Sequence, residues 1–326
     1  MHGKVASDIR SRCVVLIPVG PRTAIRHLND TLLSALRYIR SELRIVLLDD
    51  TSAGLSLSDL PKSDAIEIVR IEGSDSYSVF GRLYMHSSKA IEHVLDSWDF
   101  DLMLRLDDDA LLIGSGSEEE AMDVFRSNPD VGCLGSYRFT CMGAARDFRP
   151  VARRLHFETS VFGRMLDPVR WRGLMEIYDL AASQGYEAGE HCLGAASFFR
   201  REVLVAMRDK GLLSRHELLT SGLCDDQLLG MLVKAAGYQN MDFAGPGQPL
   251  GLAWKGLPAS PQILHAIGKK IVHSVKSWQG SDQDQTRREF AMLCEQKGPP
   301  MSRMSELTTG SHRSARPAPS GLRDHG

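Results

Sequence analysis

Three consecutive carboxylates, Asp107, Asp108 and Asp109, stand between two apolar stretches in the middle of the chain. Carboxylates this close repel one another, so a stable arrangement needs positive charge beside them. A hard divalent cation supplies that charge, because it prefers oxygen ligands and can hold phosphate oxygens at the same time. The alternative is an acidic surface turn, since paired aspartates are common in turns.

The residues before this cluster place it in a fold. Residues 102–106 form an almost continuous apolar run, which predicts a buried strand of a mostly parallel sheet. Ligands of open α/β sheets bind beyond the carboxyl ends of the strands. We therefore expect the three carboxylates at a ligand-binding edge.

Two further acid pairs have comparable settings. Asp49 and Asp50 end an apolar strand predicted over 44–50, and Asp225 and Asp226 open a helix predicted over 223–237. Acids at the start of a helix also cap it, so capping is the structural alternative for the second pair. A carboxylate in such a position can also accept the proton of an attacking hydroxyl, which is the chemical alternative to capping.

The elements that must position these acids alternate along the chain. Strands are predicted over 13–19, 44–50, 65–71, 101–106 and 131–138, the third with a more exposed pattern. Helices are predicted over 24–40, 80–95, 118–126, 168–184 and 223–237, and a small-residue strand passing into a helix over 191–207. This alternation predicts an α/β, Rossmann-like fold with a mostly parallel central sheet flanked by helices.

The remaining segments set the expected boundaries. We expect an N-terminal extension over 1–12, a single domain over 13–297 and a disordered tail over 298–326, which is rich in Ser, Pro and Gly. Residues 139–167 are less regular and rich in arginine, which suggests either a solvated face or a contact region for acceptor or phosphate.

Composition narrows the class of protein. The chain has 326 residues, 43% of them hydrophobic and 25% charged, with a net charge of −2. This balance does not predict a nucleic-acid partner. The six cysteines are scattered without a CxxC pair, as buried thiols are in a reducing compartment. With no apolar segment long enough for a signal peptide or a transmembrane helix, we expect a cytoplasmic protein.

The order of these features resembles glycosyltransferases of the GT-A fold, most closely those of family 2. The matching segments, in chain order, are LLDDTS, RLDDDALL, GAASFFRRE and CDDQLLGMLVKAAGY. The resemblance extends over residues 13–240 and implies a nucleotide-diphospho-sugar transferase fold. Residues 13–115 would then be the nucleotide-binding half and 116–297 the acceptor-binding half.

The resemblance implies a donor site. The backbone at Pro18–Gly20 would lie beside the nucleobase, with Arg22 in the same turn. Asp50 would contact the base or ribose, and Asp108 the ribose or sugar. The chain departs from the family where an Ala-Arg-Asn helix is usual, and either Arg82 or Lys89 would replace that arginine.

It also implies a metal site and a base. Asp107 and Asp109 would be the DxD pair that holds Mn²⁺ or Mg²⁺ on the diphosphate, with Asp109 the direct ligand. His273 is the candidate third ligand, with His265 as the alternative, and the neighbouring Lys269, Lys270 and Lys276 could meet the diphosphate. Asp226 matches the catalytic base of inverting members, and Asp225 would be an acceptor contact or the helix N-cap.

Three other residues are candidates for the wall of the pocket because of their side-chain type. His191 precedes the small-residue strand and is expected as a polar wall of the pocket. Trp171 and Trp254 are of the type that stacks on sugars, although ordinary burial is the expectation for each.

The expected function is therefore a metal-dependent, inverting glycosyltransferase of the hexosyltransferase type. A UDP-sugar is the default donor of the fold, and the acceptor would be a saccharide, a lipid-linked molecule or a small molecule. One alternative is a sugar nucleotidyltransferase, whose Gly-rich phosphate loop is matched only in part by PVGPR. Another is a non-catalytic nucleotide-sugar-binding module, which would keep the fold but lose the acids.

Overall fold

The computed structural model describes residues 12–71 and 78–296. Its strands are β1 (Arg12–Val19), β2 (Glu42–Asp49), β3 (Ile66–Arg70), β4 (Leu102–Leu106), β5 (Leu111–Leu112), β6 (Val131–Gly135), β7 (Ala196–Arg200), β8 (Gln239–Asp242), β9 (Leu250–Leu252) and β10 (Ile271–His273). Its α-helices are α1 (Ile25–Tyr38), α2 (Val79–Ser97), α3 (Ser117–Ser127), α4 (Arg149–Thr159), α5 (Val161–Leu166), α6 (Pro168–Ser183), α7 (Arg201–Asp209), α8 (Asp225–Ala235), α9 (Pro261–Ala266) and α10 (Gln283–Gln296).

A seven-stranded sheet forms the centre of the fold, in the order β3-β2-β1-β4-β7-β6-β8. The strands from β3 to β4 are parallel to their neighbours, β7 runs antiparallel to both β4 and β6, and β8 is parallel to β6. The prediction of an α/β fold with a mostly parallel central sheet flanked by helices is therefore confirmed.

Alternate side chains of β1 enter two separate cores. Val15 and Ile17 belong to the core that includes apolar side chains of α1 and α10. Val14 and Leu16 belong to the core that includes those of α2, α6 and α8. Burial on both faces explains why the strand sequences are continuous apolar runs rather than alternating ones. β3 lies at the edge of the sheet, which confirms its more exposed pattern.

Residues 139–167 are more regular than expected, because they contain α4 and α5. Of the α4 side chains only Leu155 and Glu158 are buried, so the helix has no apolar stripe that would reveal its period. The strand expected over 131–138 ends at Gly135. The helix α10 is a further element that the sequence pattern did not indicate.

A second, three-stranded sheet of order β5-β10-β9 joins the end of the chain to the central acids. β5 begins two residues after Asp109 and pairs antiparallel with β10, placing Ile271 opposite Leu112 and Val272 opposite Leu111. Continuing this register brings His273, the last residue of β10, towards the carboxylates that precede β5.

The predicted boundaries of the domain fall largely outside the described residues. The extension predicted over 1–12 lies outside the described residues except for Arg12, which is the first residue of β1. The tail predicted over 298–326 lies wholly outside them, and the domain division stays a prediction. Within the described ranges, the helices do not include one long and apolar enough to cross a membrane.

Candidate active site

A cleft of about 640 Å³ opens at the carboxyl ends of β1 and β4. This is the edge where open α/β sheets bind ligands. The predicted site residues that line it come from four separate stretches of the chain, and they are Pro18, Gly20, Arg22, Asp107, Asp108, Asp109, Asp225, Asp226 and His273.

Asp107, Asp109 and His273 form a group with the geometry of a metal site, since one ligand atom of each lies within 4.8 Å of the others. The Nε2 atom of His273 is 3.1 Å from Asp109 Oδ1 and 3.5 Å from Asp107 Oδ2. Its Nδ1 atom is 2.8 Å from the carbonyl oxygen of Ala253, a contact that orients the ring with Nε2 towards the carboxylates. Two carboxylates and an imidazole are groups that ligate divalent cations, so these residues fit the predicted divalent cation.

Asp109 is the most strongly held of the three central carboxylates. Its Oδ2 accepts a hydrogen bond from Ser274 Oγ at 3.3 Å and lies 3.0 Å from Lys276 Nζ. Burial alone would raise the pKa of this carboxyl, but the hydrogen bond to His273 and the charges of His273 and Lys276 lower it below the usual range. Asp109 is therefore ionised, as a metal ligand must be.

Asp107 and Asp109 both contact His273, whereas Asp108 contacts Thr23 instead. Its carboxylate accepts a hydrogen bond from Thr23, in the turn that follows β1, and its carbonyl accepts one from Thr31 Oγ1 at 2.9 Å. Burial, together with the charges of Asp109 and Asp107, raises the pKa of Asp108. The second acid of the cluster thus ties the end of β4 to the β1 turn.

Arg105 connects the two groups of acids, a role that sequence reasoning missed. It is buried in β4, where Nη1 donates hydrogen bonds to Asp107 and to the carbonyl of Gly194. Its Nη2 donates to Asp225 Oδ2 at 3.0 Å. The available signal was a single arginine inside an apolar strand, because a buried arginine is almost always paired with acids.

Asp225 is a structural partner of that arginine. It is the first residue of α8, whose N-cap is Cys224, so the expectation of Asp225 as N-cap is wrong. Gln227 occupies the position that completes a capping box, and its side chain accepts from Cys224 N at 3.0 Å. Burial would raise the pKa of Asp225, but the charge of Arg105 and the hydrogen bonds of Cys224 and Ser87 lower it.

Asp226 faces the cleft and, unlike Asp225, accepts its hydrogen bonds from two backbone N–H groups and not from side chains. Its Oδ2 accepts from Gly194 N at 3.0 Å, and its Oδ1 from Gln227 N at 2.8 Å. Burial and the negative charge of Asp225 raise the pKa of Asp226 above its usual value. A side chain at Gly194 would place Cβ 2.9 Å from Asp226 Cβ, which explains the small residue on this side of the cleft.

His191 lies behind Asp226 rather than among the cleft-lining residues. Its Nε2 is 3.9 Å from Asp226 Oδ2 and accepts a hydrogen bond from Arg146 Nη2 at 3.0 Å, while Nδ1 donates to the carbonyl of Gly189 at 2.8 Å. Burial lowers the pKa of His191, so the ring is neutral. Arg146 is accordingly part of this buried network and not of a solvated face.

Of the remaining predicted donor contacts, only Lys276 lines the cleft. Asp50 and Arg82 are not among the residues that line the cleft; Arg82 Nε is 3.4 Å from Asp50 Oδ2. Lys89 is exposed on α2. Lys269 donates to three backbone carbonyls and Lys270 pairs with Glu120, so of the three lysines only Lys276 lines the cleft.

Trp254 differs from the expectation of burial. Its side chain is 77% exposed and lines the cleft, with Lys255 Nζ 4.5 Å from the ring centroid. Trp171 is half-buried away from the cleft and donates from Nε1 to the carbonyl of Thr159 at 2.8 Å. His27 and Gln283, which sequence reasoning did not select, also line the cleft. His265, the alternative metal ligand, lies in α9.

Comparisons with known proteins do not assign the chain to a family. No protein-family model matches the chain, and no curated protein sequence matches it. Among solved structures, a mannosyltransferase from Pyrobaculum calidifontis in complex with GDP-mannose and Mn²⁺ is similar at a TM-score of 0.40 and 14% identity. The match covers 72% of this chain and 55% of that protein, so the chain spans little more than half of its length. A TM-score this low does not support an assignment of function.

Proposed function

We propose that this protein is a metal-dependent glycosyltransferase that moves a sugar from a nucleotide-diphosphate sugar to an acceptor hydroxyl. One observation carries the proposal: a single cleft holds both a metal-type group, Asp107, Asp109 and His273, and a separate carboxylate, Asp226, with a raised pKa. Glycosyl transfer needs positive charge at the leaving diphosphate and a base at the attacking hydroxyl.

The donor end of the cleft is assigned to the first group. Asp107, Asp109 and His273 would hold Mn²⁺ or Mg²⁺, which when bound stabilises the negative charge that develops on the leaving nucleoside diphosphate. Lys276, already 3.0 Å from Asp109, adds a fixed positive charge at the same place. The turn Pro18–Arg22 forms the adjoining wall and would receive the nucleoside.

The acceptor end is assigned to Asp226. Its carboxylate would take the proton of the acceptor hydroxyl as that oxygen bonds to the anomeric carbon and the carbon–diphosphate bond breaks. A base on the face opposite the leaving group gives inversion. The raised pKa of Asp226 favours this role, because a base works best with a pKa nearer the working pH.

Arg105 and Asp225 would hold the two ends of the cleft in position relative to each other. The arginine binds Asp107 on one side and Asp225 on the other, and it also donates to the carbonyl of Gly194, the residue whose N–H donates to Asp226. Exposed Trp254 offers an aromatic face for a sugar ring at the cleft.

The experiment that tests the proposal is a panel of nucleotide sugars, UDP-hexoses first, each incubated with Mn²⁺, with Mg²⁺ and with a chelator. Binding and slow hydrolysis are measured, because many transferases hydrolyse their donor without an acceptor. We expect one donor to bind only with metal and to release its nucleoside diphosphate. A sugar nucleotidyltransferase would instead form a nucleotide sugar from a nucleoside triphosphate and a sugar phosphate.

Asp226→Asn serves as the matched control in this panel. It removes the base and leaves the metal group intact, so donor binding should persist while transfer stops. If every donor fails to bind to folded protein in the presence of metal, the transferase proposal is wrong. If a donor binds but neither wild type nor variant releases product with any acceptor, the binding-module alternative is favoured.

A further inference from the structure

The helix α5 exposes most of its apolar side chains. Val161, Phe162, Met165 and Leu166 are each between 71% and 77% exposed, although the helix has only six residues. The neighbouring ends of α4 and α6 continue the surface. We call this surface the α5 ridge, and it consists of Phe157, Val161, Phe162, Met165, Leu166 and Val169.

A close backbone contact between α5 and the end of α4 positions the ridge. Gly163 is the one buried residue of α5, and a Cβ there would lie 2.3 Å from the carbonyl oxygen of Glu158 and 2.6 Å from that of Phe157. Glycine therefore lets α5 rest on the end of α4 through its backbone. The apolar side chains of α5 point away from that contact and into solvent.

Basic side chains predominate around the ridge. Only two acids lie between residues 149 and 172. Glu158 is buried and accepts from Ser221 and Gly222, while Asp167 is half-buried and caps α6. The exposed charged side chains of the same stretch are the five arginines Arg149, Arg153, Arg154, Arg164 and Arg172. Arg149 is ion-paired with Asp147, which leaves the other four as the basic surface next to the ridge. The protein as a whole has a net charge of −2, so this concentration is local.

We propose that the α5 ridge docks on an anionic lipid bilayer, with its apolar side chains at the headgroup boundary and the surrounding arginines against the lipid phosphates. Large exposed apolar surfaces on a folded protein mark interaction sites, and an apolar helix face bordered by basic residues is the pattern of interfacial helices. The negative surface potential of anionic lipid attracts such arginines.

A second copy of the chain fits the ridge less well. A two-fold interface places the same surface on both subunits, so the arginines around one ridge would face those around the other. Like charges in that position oppose association. A lipid phosphate layer has the opposite charge and meets the same arginines favourably.

The docking surface adjoins the loop that leads into the cleft. Thr220 bonds Asp167 and Arg170 at the start of α6, and Ser221 and Gly222 bond Glu158 of α4. Two residues further, Cys224 lines the cleft. The loop that leads to Cys224 is therefore anchored on the helices that carry the α5 ridge. This inference goes beyond the proposed transferase activity, because vesicle binding requires neither donor nor metal.

The test is co-sedimentation of the full chain with vesicles of phosphatidylcholine alone and of phosphatidylcholine mixed with phosphatidylglycerol. Wild type should bind the mixed vesicles, and the bound fraction should fall with added salt. Phe162→Asp and Met165→Asp should each weaken partitioning by about tenfold or more, through loss of apolar burial. Arg153→Gln should weaken it by about fivefold.

The matched controls are Met292→Asp, an exposed apolar residue of α10, and Arg126→Gln, an exposed arginine of α3. Both should bind as wild type, and thermal melts should show all variants folded. The inference is overturned if wild type ignores the mixed vesicles or if Phe162→Asp binds as well as wild type. It is equally overturned if sedimentation velocity shows a dimer that Phe162→Asp dissociates.

Discussion

Asp49 and Asp109 are both buried aspartates at the carboxyl ends of strands in the same sheet, and both have a lowered pKa. Their partners differ. The carboxylate of Asp49 is bound by Thr51, Leu55 N and Arg70, at 2.6–2.9 Å, all within the adjoining loop and strand. The carboxylate of Asp109 contacts His273 and Lys276, and the first of these lies 164 residues away in the sequence.

The difference teaches that the same local pattern, a strand ending in acids, has two uses. Asp49 has its hydrogen-bonding capacity filled by its own loop and stabilises the fold. Asp109 faces a cleft, and its partners are themselves a potential ligand and a cation. The acid pattern alone does not separate the two: the partners of Asp49 fill its bonds away from the cleft, whereas those of Asp109 stand in the cleft and include a potential metal ligand.

The largest effect should come from removing Asp109. Asp109→Asn takes away a charged oxygen ligand from the group with His273, and we expect donor turnover to fall below detection at saturating donor. Nucleoside diphosphate release with Mn²⁺ is the measurement. Full turnover in the folded variant would place Asp109 with Asp49 as a structural acid.

Asp226→Asn should have the next largest effect. Loss of a general base typically lowers the rate by about 10²–10⁴-fold, and here the drop should appear in kcat while donor affinity is unchanged. Steady-state transfer and donor binding measured on the same preparation separate the two. An unchanged kcat would contradict the assignment of the base.

Arg105→Lys tests the link between the two groups of acids. Lysine keeps the positive charge but cannot bond Asp107, Gly194 and Asp225 together, since it lacks the planar fork of arginine. Positioning partners of metal ligands typically contribute about 10–100-fold, so we expect a loss of that order in kcat. A purely structural role would lower the melting temperature and leave the kcat of the folded fraction unaltered.

Asp49→Asn should leave turnover unaltered and lower the free energy of unfolding by about 1–3 kcal/mol, because buried donors lose their ionic acceptor. The lowered pKa of Asp49 in the folded state makes its contribution complete above the unfolded value of about 4 and lost as pH falls through the folded pKa. Urea unfolding across acidic pH should therefore show a shallower loss of stability in the variant. A loss of metal-dependent donor binding in this variant would remove the contrast with Asp109.

The sequence was sufficient for six of the seven strands of the central sheet and for most of the cleft, because these depend on local pattern; β8 was not predicted. Continuous apolar runs and helical spacing located β1, β2, β4 and α8, and the acids that follow strands were placed at the correct edge. α4 and α5 escaped prediction because they bury too little apolar surface to show a period.

Long-range pairing was the other gap. Arg105 lies two residues before the first of the three carboxylates, but its partner Asp225 is 120 residues away and no local rule connects them. The pairing of Asp50 with Arg82 likewise depends on how α2 packs on the sheet. His273 could be proposed only from the family resemblance, since its approach to Asp109 follows from the β5–β10 register.

The most direct test of the central claim is a titration of Mn²⁺ followed by electron paramagnetic resonance, with wild type, Asp109→Asn and Asp49→Asn side by side and nucleoside diphosphate present. We predict that wild type and Asp49→Asn bind Mn²⁺ alike and that Asp109→Asn loses the bound signal. Equal binding by all three folded proteins would contradict the metal site at Asp107, Asp109 and His273.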